Sequence, residues 1–186
     1  MTKVLVPLAA GCEELEAVTV IDLLRRADIE VVTAGLEATP QPVRARRGTV
    51  LVPDTTLDQA LQQDFDMVVL PGGLPGADHL NADPRIHALL QRMAQHEKYL
   101  AAICAAPRVL ADAGLLKGRR ATSFPGSLTQ AQLAGVHYQE TAVVQDGHII
   151  TSRGPGTAMD FALTLIEALA GKGKRDEVER ALVRKS

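Results

Sequence analysis

Tryptophan is absent from the 186 residues, and only two tyrosines and three phenylalanines occur. Single-stranded nucleic acids are gripped by stacking bases on aromatic rings, so a base-stacking platform is excluded. An excess of either charge is lacking too, since 20 basic residues stand against 22 acidic ones for a net charge of −2. Such a balance gives no field to draw in nucleic acid or a membrane surface. The basic run Arg44, Arg46 and Arg47 has few aromatics beside it and reads as a solvated loop or a small-anion site.

Long hydrophobic runs are missing, and nothing approaches the roughly 20 apolar residues needed to span a bilayer. The stretch Val4 to Ala10, followed by Gly11-Cys12, superficially resembles a lipoprotein signal. Its apolar part is only about seven residues, at the lower edge for a signal core. It runs directly into Glu13, Glu14 and Glu16, and cleavage there would remove the best strand in the chain. It is read as a buried strand, and the protein is expected in the cytoplasm. Cysteine is scarce. Cys12 and Cys104 lie far apart and form no CxxC or CxxH pattern, which argues against structural zinc and a disulfide framework. None of the five histidines adjoins Cys104 in sequence, and no pair has metal-ligand spacing, so neither metal nor cofactor is expected. His79, soon after a glycine turn, is a candidate to overhang a pocket.

What the chain does have is alternation. Short apolar runs (Val4 to Leu8, Ile29 to Ala34, Phe65 to Leu70, Leu100 to Ile103) are separated by segments with helical spacing (Glu14 to Ala27, Pro84 to Glu97). Asp83 is a candidate cap for the second of these helices, with Pro84 in its first turn. Another helix is expected to open at Cys104 to Pro107 and end near Gly114. Between Leu36 and Thr56, Pro40, Pro42, Gly48 and Pro53 mark a loop with one extended piece, Val50 to Val52, near a sheet edge. Asp146-Gly147 joins two late strands as a hairpin. Gly154-Pro155-Gly156 leads into a long helix from Thr157 to Ala170, and a short charged helix follows from Arg175 to Val183. The pattern predicts one α/β domain over residues 1–186, a doubly wound, mostly parallel sheet sandwiched by helices. Ligands in such sheets bind beyond the carboxyl ends of the strands. Gly11-Cys12-Glu13, Pro71-Gly72-Gly73 and Cys104-Ala105-Ala106 all fall there and are expected to meet.

Cys104 ends a strand and begins a helix, the layout of a nucleophile elbow. Turn amides and the helix dipole would lower its pKa and raise the thiolate fraction; alternatively it is a small buried hydrophobe. Gly72 and Gly73 let backbone amides approach a ligand and build an oxyanion hole with Ala105, or simply make a tight turn. No Lys-Ser/Thr follows Gly76, so this is not a phosphate loop. Glu16, among Leu15, Ala17 and Val18, would have its pKa raised by burial and stay protonated beside the sulfur. Its other reading is that Glu13, Glu14 and Glu16 merely favour the start of a helix. Cys12 reads as a loop thiol, and Arg153 as an anion ligand or a neighbour of a helix cap.

Four ordered segments, Glu13-Glu14-Leu15-Glu16-Ala17, Val69-Leu70-Pro71-Gly72-Gly73, Ala101-Ala102-Ile103-Cys104-Ala105-Ala106-Pro107 and Thr151-Ser152-Arg153-Gly154-Pro155-Gly156-Thr157, resemble the ThiJ/PfpI superfamily. The likeness covers nearly the whole chain and is strongest to the branch of the parkinsonism-associated protein deglycases, with their bacterial YajL-type members. It implies a flavodoxin-like fold, a homodimer with the first helix near its interface, and Cys104 as nucleophile with a protonated Glu16 touching its sulfur. It further implies amides from Gly73 and Ala105, with Gly72, Phe124 and Arg153 lining the pocket. The activities it implies are a glutathione-independent glyoxalase, a deglycase acting on early sugar-aldehyde adducts of proteins, or a redox sensor and chaperone. Two departures matter. Phe124 stands where human-type members carry a histidine, and Ala105 stands where the protease-like branch carries one. The second tells against peptidase activity. The secondary cysteines of human-type members fall on Ala45 and Val52, so redox chemistry is expected to concentrate on Cys104.

Overall fold

In the computed structural model, which describes residues 2–184, the chain alternates strands and helices from end to end. In order they are β1 (Lys3–Leu8), α1 (Glu14–Arg26), β2 (Glu30–Gly35), β3 (Val43–Arg44), β4 (Val50–Leu51), β5 (Thr55–Thr56), α2 (Leu57–Ala60) and β6 (Met67–Leu70). There follow α3 (Gly76–Ala82), α4 (Pro84–Gln95), β7 (Tyr99–Ile103), α5 (Pro107–Asp112), β8 (Arg120–Ala121), α6 (Gln130–Leu133) and β9 (His137–Tyr138). β10 (Val143–Asp146), β11 (Ile149–Ser152), a 3-10 turn at Pro155–Thr157 and α7 (Ala158–Ala181) complete the described chain. Seven strands form the main sheet in the order β10-β11-β7-β6-β1-β2-β5. Its strands run parallel except β10, which is antiparallel to β11 across the turn that Asp146-Gly147 announces.

Successive side chains of a strand point to opposite faces, and the core divides accordingly. Val4, Val6 and Leu8 pack in one apolar cluster with Ala17, Val20 and Leu24 of α1 and Phe161, Leu165 and Ile166 of α7. Leu5 joins a second cluster with Ile86, Leu89, Leu90 and Met93 of α4 and Val109 and Leu110 of α5. Each fully buried aliphatic or aromatic side chain contributes about 1.5–3 kcal/mol by leaving water, so both helix layers are held firmly on the sheet. Asp83 caps α4 as its position suggests, accepting a hydrogen bond from the Arg85 amide at 2.9 Å.

Three local expectations change. The helix after Cys104 does not begin at the cysteine. Residues 104–106 form a turn, and α5 runs only from Pro107 to Asp112. The extended piece at Val50 pairs in a separate two-stranded ribbon, β3 with β4, while Thr55–Thr56 supplies the edge of the main sheet. The two carboxyl-terminal helices are nearly continuous, broken only at Gly171, whose φ of 83° and ψ of 165° interrupt the helical turn.

The chain passes from β1 to β2 on one side and then crosses back to place β6 on the other. The carboxyl ends of β1, β6 and β7 therefore open onto the point where the winding reverses, the crevice in which such sheets bind ligands. The three expected turns meet there. The Glu13 amide donates to Gly72 O at 2.9 Å, and Gly72 lies directly against Cys104.

Candidate active site

Cys104 has a φ of 62°, in the left-handed region that a side chain rarely adopts. Such a conformation costs of order 1–3 kcal/mol and persists only where neighbours over-determine it. They do so here: the Cys104 amide donates to Ser152 O at 2.9 Å, and its carbonyl accepts from the Phe124 amide at 2.8 Å. Pinned between the end of β11 and the loop after β8, the elbow aims the thiol into a cleft while leaving it 9% exposed.

Glu16 lies on the inner face of α1 and is fully buried. Its Oε2 accepts a hydrogen bond from the Gly72 amide at 2.8 Å, and its carboxyl group is hydrogen-bonded to the Cys104 thiol. Oε1 has no nitrogen or oxygen partner. Burial lifts the carboxyl group to about 7 against the pull of the Cys104 and Gly72 hydrogen bonds. Glu16 is thus a buried acid of raised pKa, not only a favourable charge at a helix start. Gly72 makes the contact possible, because a Cβ there would stand 2.6 Å from Cys104 Cβ and 2.7 Å from Glu16 Oε2.

The thiol corrects one expectation. Burial first, and then the negative charge of Glu16, push Cys104 up to about 12, while hydrogen bonds from the Gly73 and Ala105 amides act in the opposite direction. The helix dipole does not rescue a low pKa, because α5 starts three residues later and has only six residues. Cys104 and Glu16 titrate as a pair. The first proton leaves near 7, and the charge that remains disfavours loss of the second.

Above the pair lies a cleft of about 330 Å³ lined by Cys104, Gly73, Ala105 and Phe124, with Glu13 and three arginines, Arg46, Arg47 and Arg108. Phe124, 48% exposed, supplies an apolar wall. Gly72 sits beneath the cleft and not on its surface, because its amide is spent on Glu16. Arg153 also falls outside the lining: its amide bonds to Ala142 O, and its Nη1 is buried without a partner. His79 turns to Ala10 O at 2.9 Å and borders a different hollow. Cys12 is no loop thiol in the exposed sense. It is fully buried, and burial raises it to about 11. Arg108 escaped the sequence reading, although its place four residues after the elbow cysteine was a usable signal. Among the described residues, no group of three or more His, Cys, Asp and Glu side chains is placed to hold a metal ion, and no helix is long and apolar enough to cross a membrane.

A strained cysteine turn over a buried carboxyl group, at the reversal point of a doubly wound sheet, defines a class of α/β proteins whose chemistry centres on a thiol. The chain belongs to the DJ-1/PfpI family, whose pattern matches residues 2–168. It is 44% identical over 179 residues to protein dj-1beta of Drosophila melanogaster, covering 96% of this chain and 95% of the relative. It is 34% identical over 170 residues to the glutathione-independent glyoxalase DJR-1.2 of Caenorhabditis elegans, covering 91% and 89%. The crystal structure of Drosophila DJ-1beta superposes with a TM-score of 0.94 at 42% identity, over 100% of this chain and 99% of that one. An oxidized form of Toxoplasma gondii DJ-1 matches with a TM-score of 0.91 at 36% identity, over the whole of both chains. The flavodoxin-like fold implied by the resemblance is the fold observed.

Proposed function

We propose that the protein is a cofactor-independent enzyme acting through Cys104 on α-oxoaldehydes such as methylglyoxal and glyoxal, or on their early adducts with proteins. The observation that carries this reading is the buried Glu16 carboxyl group hydrogen-bonded to the Cys104 thiol, with the Gly73 and Ala105 amides at the same sulfur. The glyoxalase among the relatives supports it.

The ionised pair supplies the nucleophile. As the sulfur adds to the aldehyde carbon, Glu16 holds the thiol proton and the turn amides of Gly73 and Ala105 receive the carbonyl oxygen as it becomes an alkoxide. Glu16 passes its proton to that oxygen and, again a carboxylate, removes the hydrogen of the same carbon as a proton. It returns that proton to the neighbouring carbon, while the hydroxyl proton on the first carbon moves to the oxygen of the second. The first carbon rises from aldehyde to acyl level while the second falls from ketone to alcohol, so no external oxidant is needed. Water then cleaves the thioester, releasing a 2-hydroxy acid (lactate from methylglyoxal) and regenerating the thiol. In a glycated amine or thiol the aldehyde carbon is held as a hemiaminal or hemithioacetal; the Cys104 sulfur bonds to that carbon as the amine or thiol leaves with the proton that Glu16 took from the thiol, and the same steps follow. Peptidase chemistry is disfavoured, because no histidine lines the cleft and Ala105 follows the cysteine.

Lactate formation from methylglyoxal without glutathione tests the reading, against Cys104→Ser and buffer alone. Wild-type protein producing no more lactate than Cys104→Ser would overturn it. The oxidized relative favours a second reading, in which Cys104 is a redox sensor, with or without a chaperone role, signalling through its own oxidation to sulfinate. Peroxide treatment that forms sulfinate in a protein without turnover would select that reading. In either case we place the protein in the cytoplasm as a homodimer. Exposed Leu15 and Val18 on α1 and Met159 on α7 offer it an apolar face.

A further inference from the structure

Two large apolar side chains stand exposed in the cleft over Cys104, and the proton chemistry uses neither. Phe124 is 48% exposed and Leu74 38%, and Pro125 and Pro155 line the same cleft. Other exposed large hydrophobic side chains among the described residues, such as Leu15, Val52 and Met159, lie outside it. Apolar surface held in water costs free energy that an apolar ligand group removes. The cleft encloses about 330 Å³, within the range of pockets that take ligands far larger than methylglyoxal.

The apolar surface is also fixed in place. Phe124 opens a tight turn through Pro125 and Gly126, whose φ of 75° suits the third position of a type II turn. The Ser127 amide closes it on Phe124 O at 3.0 Å. This turn is bound to the nucleophile itself, since Cys104 O accepts from the Phe124 amide at 2.8 Å and from Ser127 Oγ at 3.4 Å. Arg108, paired with Asp78 at 2.6 Å, braces it through Nη2 to Ser127 O at 3.1 Å. The Phe124 ring lies over Gly154, where a Cβ would stand 3.3 Å from its Cδ2. Leu74 directly follows Gly73, whose amide meets the sulfur, and its carbonyl accepts from Arg46 Nη1 at 3.1 Å.

A surface ordered before binding spares the ligand the entropy of ordering it. We propose that Phe124 and Leu74 are specificity-determining residues that read the substituent on the ketone carbon. The preferred substrates are α-oxoaldehydes bearing a branched-alkyl or aryl group there, over methylglyoxal. This rests on the aldehyde chemistry above and adds one contact to it. With the aldehyde carbon at Cys104 and its oxygen at the Gly73 and Ala105 amides, the other end of the molecule lies against Phe124 and Leu74. Neither residue moves a proton, so both act on binding.

Two measurements test this, one of which needs no turnover. Alkylation of Cys104 by N-phenylmaleimide is compared with alkylation by N-methylmaleimide in wild type, Phe124→Ala and Leu74→Ala. Both reagents are neutral and share one electrophile, and each rate is divided by that of free N-acetylcysteine. The normalised phenyl-to-methyl ratio should exceed one in wild type. It is expected to fall about three- to tenfold in each variant, the usual worth of an apolar or aromatic contact. Phe124→Leu, which keeps an apolar side chain, should recover part of it. The N-methylmaleimide rate controls for a damaged site, and both side chains, being exposed, are replaceable without loss of the fold. In turnover, initial rates with 4-methyl-2-oxopentanal and phenylglyoxal are compared with those for methylglyoxal, reading the 2-hydroxy acid formed. The two larger aldehydes should show the higher kcat/KM, and their advantage should fall in the Ala variants mainly through KM. A maleimide ratio that is unchanged in the variants, or that rises because Phe124 obstructs the cleft, would overturn the proposal. So would methylglyoxal turnover with a kcat/KM equal to or above those of both larger aldehydes. No turnover of any aldehyde, together with a ratio that falls in the variants, would support the apolar seat and overturn only the aldehyde reading.

Discussion

Replacing Glu16 with Gln perturbs the site in a way whose size can be worked out from its burial. The carboxyl group is fully buried, and its pKa rises from 4.5 to about 7, chiefly by loss of solvation. A carboxyl group raised in the folded state binds its proton more tightly there than in the unfolded chain. Its contribution to stability is full below about 4.5, falls as pH rises, and is lost above about 7. At about 1.36 kcal/mol per pKa unit, the ionised site costs the fold about 3 kcal/mol at pH 8 relative to its protonated form. The amide introduced by Glu16→Gln would mimic the protonated acid, with its carbonyl oxygen accepting from the Gly72 amide and its NH2 group facing the sulfur, and it cannot ionise.

The variant should therefore match wild type in stability near pH 5 and exceed it by about 3 kcal/mol at pH 8, or about 6–12 °C in Tm for a chain of this size. Urea and thermal unfolding of both proteins at half-unit steps from pH 5 to 8 read this difference directly. Titrating groups outside the Cys104–Glu16 pair cancel in the comparison. A stability difference that does not change with pH, or a variant less stable at pH 8, would refute burial as the dominant influence on Glu16. The same substitution should lower lactate formation by about 10²–10⁴-fold, the usual contribution of a positioned acid–base group. More stability with less activity is the combined signature.

Wild-type turnover and Cys104 alkylation should both rise with pH through about 7, as the pair gives up its first proton, and this inflection should vanish in Glu16→Gln. Iodoacetamide followed by mass spectrometry should label Cys104 in the native protein and Cys12 only after unfolding, since Cys12 is fully buried and raised to about 11; equal native labelling would contradict the packing. Gly72→Ala would force a methyl group to 2.6 Å from Cys104 Cβ, so denaturant unfolding should show a loss of about 1–3 kcal/mol and the lactate assay a collapse in activity. Light scattering at micromolar concentration should give twice the 19.8 kDa chain mass; a mass near 20 kDa would refute the dimer.

Much of this architecture was legible because the two periodicities of the chain differ. Val4 to Leu8 and Phe65 to Leu70 read as strands buried on both faces, and the sheet places them side by side as β1 and β6. The meeting of the Gly11, Gly72 and Cys104 turns followed from topology alone. The raised carboxyl group of Glu16 followed from its apolar neighbours, but the charge state of Cys104 did not, because a pKa depends on how many neighbours exclude water. The motif at Cys104 suggests a helix dipole, whereas the turn through Ala106 withholds the helix until Pro107. The arginines were half legible: Arg46 and Arg47 were visible as a basic run, but nothing local ties that loop to Cys12 or brings Arg108 to the same cleft.

These features make the site a place where the fold gives up stability. Cys104 holds a left-handed backbone and Glu16 a charge in a dry interior, and each costs a few kcal/mol. Neither could persist on a mobile loop. They persist because the elbow bonds to β11 on one side and the Phe124 loop on the other, while Glu16 stands on a helix packed against β1 and α7. The sheet therefore acts as a clamp that keeps a thiol and an acid in contact when either, left alone, would move into water. Ser152→Ala, which keeps the backbone carbonyl but removes the side-chain hydrogen bonds to Ala142 O and Thr157 Oγ1 that hold the end of β11, should relax the clamp and lower the rate of Cys104 alkylation by iodoacetamide before it lowers the stability of the sheet.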